Sequence, residues 1–247
     1  MAQPLKAYRA EPYSYAEARA LADELGLSEP LAVTLVRRGY RTPVEARRFL
    51  EADESHEPDE FAPIGEVTER LLRAVSNREP ITVHGDFDVD GVCATVVAVS
   101  ALRALGADCD WLIPDRLGDG YGISAAGLEQ LSARGTTLLL TVDCGITAVE
   151  EVRHARKLGM DVIVTDHHQP KAELPDCPIL HPSLSGYPFA DLCGTAVAWK
   201  LACSLRAAAG IGGADDDLDL VAHATVADLV PLVGENRSLV RLSLIHI

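Results

Sequence analysis

The sequence predicts an α/β fold, a doubly wound and mostly parallel sheet flanked by helices and preceded by a small helical leader. From residue 81 onward, short β-prone apolar runs alternate with longer amphipathic segments, which is the pattern of strands joined by crossover helices. Three of these runs end in Asp or His residues. Hydrophobic residues make up 48% of the 247 residues, enough for a substantial core.

The leader is predicted to contain three short helices, at residues 15–25, 31–38 and 43–50. Gly26 and Gly39 follow the first two, and glycine commonly ends a helix. Thr42 precedes the third as its N-cap, with Pro43 at the first helical position. Residues 51–63 are acidic and interrupted by proline, so we expect a linker there. The leader and linker together occupy residues 1–63.

The second predicted domain, residues 64–247, begins with a helix at 64–78 and then alternates strands and helices. The strands are predicted at 81–85, 109–113, 137–142, 161–165 and 179–181. The helices are predicted at 91–105, 123–133, 147–158, 193–209, about 217–227 and 235–241. The chain stops at Ile247 without a polar tail, so we expect this domain to be truncated at its C-terminus.

Composition limits the partners of the chain. The net charge of −15 has the wrong sign for an extended surface that neutralises phosphates. A polyanion site must therefore be local, built from metal ions and a few arginines, or the basic surface lies outside this chain. No apolar run reaches membrane-spanning length. We therefore expect no membrane partner. The six cysteines form no CxxC pair, which favours reduced thiols in a cytoplasmic protein.

The first strand run leads directly into an acidic motif. His84 is followed by Asp86, Asp88 and Asp90 and then by a long apolar helical pattern. In an extended segment, side chains at alternate positions share one face, and three carboxylates on one face would repel each other. One or two divalent cations are the simplest way to hold them together.

Three further clusters of acidic and imidazole groups follow along the chain. They are Asp143 with Cys144 and Gly145, the triplet Asp166-His167-His168, and Asp228. Carboxylates together with imidazoles suit Mn²⁺ and similar cations. Two such ions held about 3.5–4 Å apart by shared carboxylates are the usual arrangement for phosphoryl chemistry.

Simpler interpretations exist for each cluster taken alone. The Asp-x-Asp-x-Asp-Gly run also begins a calcium loop, but its twelfth position is Val97 and not Glu. Asp143 can belong to an ordinary turn, His167 and His168 to an exposed pair, and Asp228 to a solvated helix end. The combination of four clusters is what favours a metal site.

These motifs resemble those of the DHH phosphoesterase superfamily. The resemblance rests on His-Gly-Asp-Phe-Asp-Val-Asp-Gly at 84–91, Val-Asp-Cys-Gly at 142–145, Asp-His-His at 166–168 and Ala-Asp at 227–228. Within that superfamily the chain most resembles the RecJ-type single-strand-specific 5′→3′ exonucleases. The additional markers lie at 113–122, 141–146, 194–198, 230–232 and 235–237.

The resemblance implies two Mn²⁺ (or Mg²⁺) ions bridged by Asp143. One ion would be held by His84, Asp88 and Asp143, and the other by Asp90, Asp143, His167 and Asp228. Asp86 and Asp166 would contact these ligands rather than the ions, whereas Arg116 and His168 would bind a substrate phosphate. The residues expected to act in catalysis are Asp88, Asp90, Asp143, His167 and His168.

The function implied by the resemblance is hydrolysis of single-stranded DNA to 5′-mononucleotides in cytoplasmic DNA repair and recombination. Single-stranded-DNA-binding protein and a helicase would be partners through C-terminal domains that do not fit in this chain. We therefore expect metal binding with weak processive digestion. The alternatives are a hydrolase of oligonucleotides, 3′-phosphoadenosine-5′-phosphate or pyrophosphate, and a non-catalytic DHH scaffold, although such scaffolds typically lose ligands that this sequence keeps.

Overall fold

The structure, a computed structural model, describes residues 12–115, 122–213 and 216–246, with side chains to residue 244. The chain divides into two compact units, Met1–Asp53 and Glu54–Ile247. This division comes earlier than the predicted end of the linker at residue 63. The reason is that Phe61, which is 1% exposed, belongs to the core of the second unit. A 3₁₀ turn, Pro58–Glu60, precedes it.

The described residues of the first unit form three helices, as the sequence predicts, at α1 Tyr15–Leu25, α2 Glu29–Arg37 and α3 Pro43–Glu51. Local capping explains where they begin and end. Ser14 accepts a hydrogen bond from the backbone of Glu17, and Gly26 ends α1 with a left-handed φ of 65°. Thr42 and Glu45 form a reciprocal capping box on α3. The buried core of this unit comprises Ala18, Leu21, Ala32, Leu35, Val36 and Ala46.

The second unit is built on a five-stranded parallel sheet with the order β2-β1-β3-β4-β5. The strands are β1 Ile81–His84, β2 Cys109–Leu112, β3 Leu138–Val142, β4 Asp161–Thr165 and β5 Ile179–Leu180. The fold class predicted from the sequence is confirmed. In this strand order the connections change direction between β1 and β3. Ligands of doubly wound sheets bind beyond the carboxyl ends of the strands at such a switch point.

Helices cover both faces of the sheet. They are α4 Ile64–Asn77, α5 Val89–Ala104, α6 Ala125–Ala133, α7 Val149–Lys157, α8 Gly194–Ala208, α9 Leu218–Ala227 and α10 Gly234–His246. Alternation along the central strand divides the core, because Leu138 and Leu140 pack into one cluster with α5 and α8, whereas Leu139 packs into a second cluster with α6 and α7. Within the described residues, no helix has both the length and the apolar character needed to cross a membrane.

Candidate metal centre

The aspartates of the first motif lie in the turn from β1 to α5. The strand ends at His84, Asp88 is the N-cap of α5, and Asp90 lies in the first helical turn. Oδ1 of Asp88 accepts a hydrogen bond of 2.9 Å from the backbone N–H of Gly91. The prediction that these aspartates alternate along an extended segment is therefore wrong. A capping hydrogen bond from the Asp side chain favours the start of a helix over a longer strand.

Two glycines allow this turn to be tight. A Cβ on Gly91 would lie 2.5 Å from the backbone nitrogen and oxygen of Asp86. A Cβ on Gly85 would lie 1.9 Å from Oγ1 of Thr95. Both distances are far shorter than van der Waals contact, so only glycine lets the start of α5 fold back against the end of β1. The helix start thus brings the aspartates close to the sheet edge.

Side chains from all four sequence motifs meet beyond the carboxyl ends of β1, β3 and β4. Among the described residues, three groups each offer ligand atoms that lie within 4.8 Å of one another. The groups are Asp86, Asp88 and Asp143; Asp90, His167 and Asp228; and Asp143, His167 and His168. Asp143 and His167 each belong to two groups, which places them at the centre of the site.

The structure departs from the expected ligand sets in two details. Asp86, which was expected to contact the ligands rather than the ions, shares a group with Asp88 and Asp143. His84 is in none of the three groups found among the described residues. His84 is buried, and its Nδ1 lies 3.6 Å from Sγ of Cys144. Burial lowers the pKa of His84 to about 4, so its imidazole is neutral, as a metal ligand must be. Arg116 lies outside the described residues.

Asp143 has an unusual environment for an acid. It follows β3 with a left-handed φ of 58° and is 1% exposed. Neither carboxylate oxygen has a hydrogen-bond partner in the described part of the chain. Burial, and secondly the negative charge of Asp90, raise the pKa of Asp143 to about 10. A buried carboxylate without donors is costly unless a cation balances it.

His167 is surrounded by three carboxylates. Its Nε2 lies 3.2 Å from Oδ1 of Asp143, 3.5 Å from Oδ2 of Asp90 and 3.7 Å from Oδ2 of Asp228. This buried nitrogen has no hydrogen bond of acceptable geometry within the described residues. The imidazole therefore points a ring nitrogen into an acidic cluster without bonding to any of its members.

Asp166 holds His167 and His168 in place through hydrogen bonds. Its Oδ1 accepts hydrogen bonds from the backbone of His167 and from Nδ1 of His168, the latter at 2.8 Å. Its Oδ2 accepts one of 2.9 Å from the backbone of Ile146. Burial opposes the charge of Asp166, but these hydrogen bonds hold its pKa below the ordinary value. The same bond to Asp166 raises the pKa of His168.

The donor atoms fit one or more divalent cations. The unpartnered atoms Oδ1 and Oδ2 of Asp143 and Nε2 of His167 are oriented into the cluster. In the described part of the chain, no lysine or arginine forms an ion pair with Asp90, Asp143 or Asp228. Oxygen and imidazole donors together match the preference of Mn²⁺ and similar ions. Metal binding would remove the charge that these side chains otherwise leave unbalanced.

Residues 80–229 match the DHH family, N-terminal domain. The chain belongs to the DHH family. It is 42% identical over 232 residues to the single-stranded-DNA-specific exonuclease RecJ of Bacillus subtilis (strain 168), an alignment that covers 92% of this chain and 29% of the relative. The resemblance recognised from the four motifs of the DHH family is thus confirmed.

Two solved structures are similar in fold and sequence. A crystal structure of exonuclease RecJ bound to manganese matches with a TM-score of 0.72 and 38% identity, covering 76% of this chain and 48% of that chain. RecJ in complex with Mn²⁺ from Thermus thermophilus matches with a TM-score of 0.77 and 32% identity, covering 94% of this chain and 33% of that chain. The chain therefore spans less than half the length of each of these relatives.

Sequence reasoning gave no role to two parts of this DHH site. Gly194 and Thr195 begin α8 and donate backbone hydrogen bonds to the carboxylate of Asp90. Asn236, near the start of α10, donates to the backbone oxygens of Asp191 and Pro231. In the sequence both segments are recognisable only as family markers. A cysteine at the N-cap of an apolar helix, where a polar side chain is expected, was the available signal for the first of them.

Proposed function

We propose that this chain is the metal-binding core of a RecJ-type exonuclease that hydrolyses single-stranded DNA from the 5′ end and releases 5′-mononucleotides. The observation that carries the proposal is the placement of Asp143 and His167, whose buried ligand atoms have no partners within the described residues. Acidic groups from two other segments, the turn from β1 to α5 and the end of α9, surround them. The substrate class is supported by relatives whose names specify single-stranded DNA.

The two cations would share Asp143. Asp88 and Asp143 would hold the first, together with Asp86 or His84. The second would be held by Asp90, Asp143, His167 and Asp228, a set supported by the distances from Nε2 of His167 to the three carboxylates. Two divalent cations supply charge neutralisation at a phosphate and make water acidic enough to react near neutral pH. Similar structures bound to Mn²⁺ and to Mg²⁺ support this choice of metal.

His168 is the residue best placed to meet the substrate. Its side chain is 39% exposed, more than that of any other histidine or aspartate partner in its group. Nδ1 is fixed by the hydrogen bond to Asp166, which sets the orientation of the ring. The raised pKa of His168 favours the cationic ring, which can donate a charge-assisted hydrogen bond to a phosphate oxygen. Asp166 thus positions His168, and His168 contacts the scissile phosphate.

The charge of the chain makes metal binding a precondition for substrate binding. A net charge of −15 and a cluster of carboxylates would repel a DNA strand unless cations are bound.

A cytoplasmic role in DNA repair and recombination is consistent with the cysteines, since the six thiols are all free and thiols stay reduced in that compartment.

The test is a hydrolysis assay with a 5′-labelled single-stranded oligonucleotide and excess protein. We expect release of labelled mononucleotide with Mn²⁺, no release with EDTA, and a loss of at least about 100-fold for Asp143→Ala. Asp176→Ala is the matched control, because that carboxylate is 95% exposed. Dinucleotides and pyrophosphate are assayed in parallel. Hydrolysis that survives EDTA or Asp143→Ala, or faster turnover of pyrophosphate than of DNA, would contradict the proposal.

A further inference from the structure

The N-terminus of α8 is capped by a residue from another helix. Its own N-cap residue, Cys193, makes no capping hydrogen bond through its side chain. Instead, Oδ2 of Asp90 accepts a bond of 2.7 Å from the backbone N–H of Gly194, and Oδ1 accepts one of 2.7 Å from that of Thr195. The first N–H groups of a helix need such acceptors, and the positive end of the helix dipole stabilises a carboxylate there.

Thr195 adds a third bond to the same aspartate. Its hydroxyl donates to the backbone oxygen of Asp90 at 2.8 Å. Both residues are buried, so water does not compete for these groups. The backbone and the carboxylate of Asp90 are therefore held by two consecutive residues that lie 104 and 105 positions away in sequence.

This arrangement fixes where the Asp90 carboxylate points. With each oxygen tied to a separate N–H of α8, the side chain cannot rotate without breaking a bond. In that fixed orientation Oδ2 lies 3.5 Å from Nε2 of His167. The hydroxyl of Thr195 also joins the backbone oxygen of Asp90 to α8, independently of the two bonds to the carboxylate.

We propose that Thr195 is a positioning residue for the cation held by Asp90, His167 and Asp228, acting through Asp90. The inference rests on the proposed metal centre. Thr195 touches neither the metal nor the substrate. Its role is to hold the Asp90 carboxylate in place relative to the other ligands, as residues that hydrogen-bond to metal ligands commonly do.

The experiment compares Thr195→Val, which loses the hydroxyl and keeps the shape, with Thr195→Ser, which keeps the hydroxyl. The matched control is Thr68→Val, because Thr68 is also buried and its hydroxyl bonds to Oγ of Ser204 on the side of α8 that faces α4. Each protein is titrated with Mn²⁺ while the electron paramagnetic resonance signal of free Mn²⁺ is recorded. The melting temperature of each metal-free protein is measured as well.

We expect Thr195→Val to weaken one of the two Mn²⁺ sites by about 10–100-fold, with the other site unchanged. Thr195→Ser should keep the wild-type affinity at both sites. Thr68→Val should lower the melting temperature without changing either affinity. Wild-type affinity in Thr195→Val, or equal weakening in Thr68→Val, would overturn the role of Thr195 while leaving the metal centre intact. A wild-type protein that binds no Mn²⁺ would overturn both proposals.

Discussion

Nε2 of His167 lies 3.2 Å from Oδ1 of Asp143, and both atoms are buried without a hydrogen-bond partner in the described residues. A stable core normally satisfies such groups. Here the imidazole and the carboxylate are held close by β3, β4 and the backbone bonds to Asp166, yet neither forms a hydrogen bond. The site therefore carries a stability cost that a bound cation would offset. A single substitution at Asp143 should then raise the stability of the metal-free protein and weaken metal binding.

We expect Asp143→Asn to stabilise the metal-free protein. Asparagine has nearly the same shape but removes the ionisable group whose pKa burial raises to about 10. An unfolded Asp is ionised at pH 7, whereas the folded one is kept protonated at a cost of roughly 1.4 kcal/mol for each pH unit above its unfolded pKa. Asparagine keeps unsatisfied polar atoms, so we expect a net gain of about 2 kcal/mol in the free energy of unfolding. Urea denaturation in EDTA measures it.

The same substitution should remove stabilisation by metal. Mn²⁺ at a hundredfold excess over its dissociation constant should stabilise the wild-type protein by roughly 2.7 kcal/mol, and Asp143→Asn should show little of this increase. Asp176→Asn, which changes an exposed carboxylate, should leave both quantities at their wild-type values. A variant that is less stable without metal and still gains stability from Mn²⁺ would show that the buried carboxyl group of Asp143 is not the source of the stability cost.

Gly194→Ala should impair metal binding through a steric effect on Asp143. A Cβ at Gly194 would lie 2.4 Å from Oδ1 of Asp143 and 2.6 Å from its Cβ. The clash would displace the carboxylate that we propose the two cations share, and overpacking of this kind typically costs about 1–3 kcal/mol. We expect loss of Mn²⁺ binding in a calorimetric titration together with a lower melting temperature.

Gly65→Ala is the control for this change. Gly65 lies in α4, where a Cβ would meet nothing within 4 Å. Alanine is the better helix former by about 0.5–1 kcal/mol, so this variant should be at least as stable as the wild type and should bind Mn²⁺ normally. Normal Mn²⁺ binding by Gly194→Ala would mean that Asp143 can move away from α8 without losing the cations.

Much of the site could be predicted because a parallel sheet brings the ends of its strands to one edge. Asp143 and His167 follow β3 and β4, which are neighbours, and Asp88 follows β1, which pairs with β3. Strand-end residues of a doubly wound sheet meet at the switch point whatever their separation in sequence. Local patterns were therefore sufficient to bring these side chains to one edge of the sheet, and caps and periodicity indicated the order of the helices and strands.

The remaining parts depend on packing between distant segments. The local sequence shows that α8 lacks a polar N-cap of its own, but not that Asp90 of α5 supplies the cap, since the bond joins residues 104 positions apart. The extended alternation expected for the first motif failed because Asp88 caps a helix instead. Residues 51–63 were predicted to be a linker because they are acidic and interrupted by proline, but Phe61 packs in the core of the second unit. Tertiary contacts outweighed the local signal at Asp90 and at Phe61, whereas the cap at Asp88 is itself a local hydrogen bond to Gly91.

Asn236 holds the loop that carries Asp228, and its removal should loosen that loop. The Asn236 side chain is fully buried, and its Nδ2 donates to the backbone oxygens of Asp191 at 2.7 Å and Pro231 at 3.1 Å. Asn236→Ala takes the donor away from two carbonyls, which should cost about 1–3 kcal/mol in the free energy of unfolding. Because the loop begins at Asp228, we also expect weaker Mn²⁺ binding at one of the two sites. Asn77→Ala is the control, since Asn77 bonds only at an exposed position.

Asn236→Asp distinguishes the hydrogen bonds from simple filling of space. Aspartate has almost the same volume as asparagine but would place acceptor oxygens against two backbone oxygens. If the donated bonds hold the loop, Asn236→Asp should be less stable than Asn236→Ala and should bind Mn²⁺ no better, because repulsion and a buried unpaired charge are added to the lost bonds. If Asn236 only fills space, Asn236→Asp should be the milder change. Urea denaturation and Mn²⁺ titration of the two variants side by side separate these outcomes.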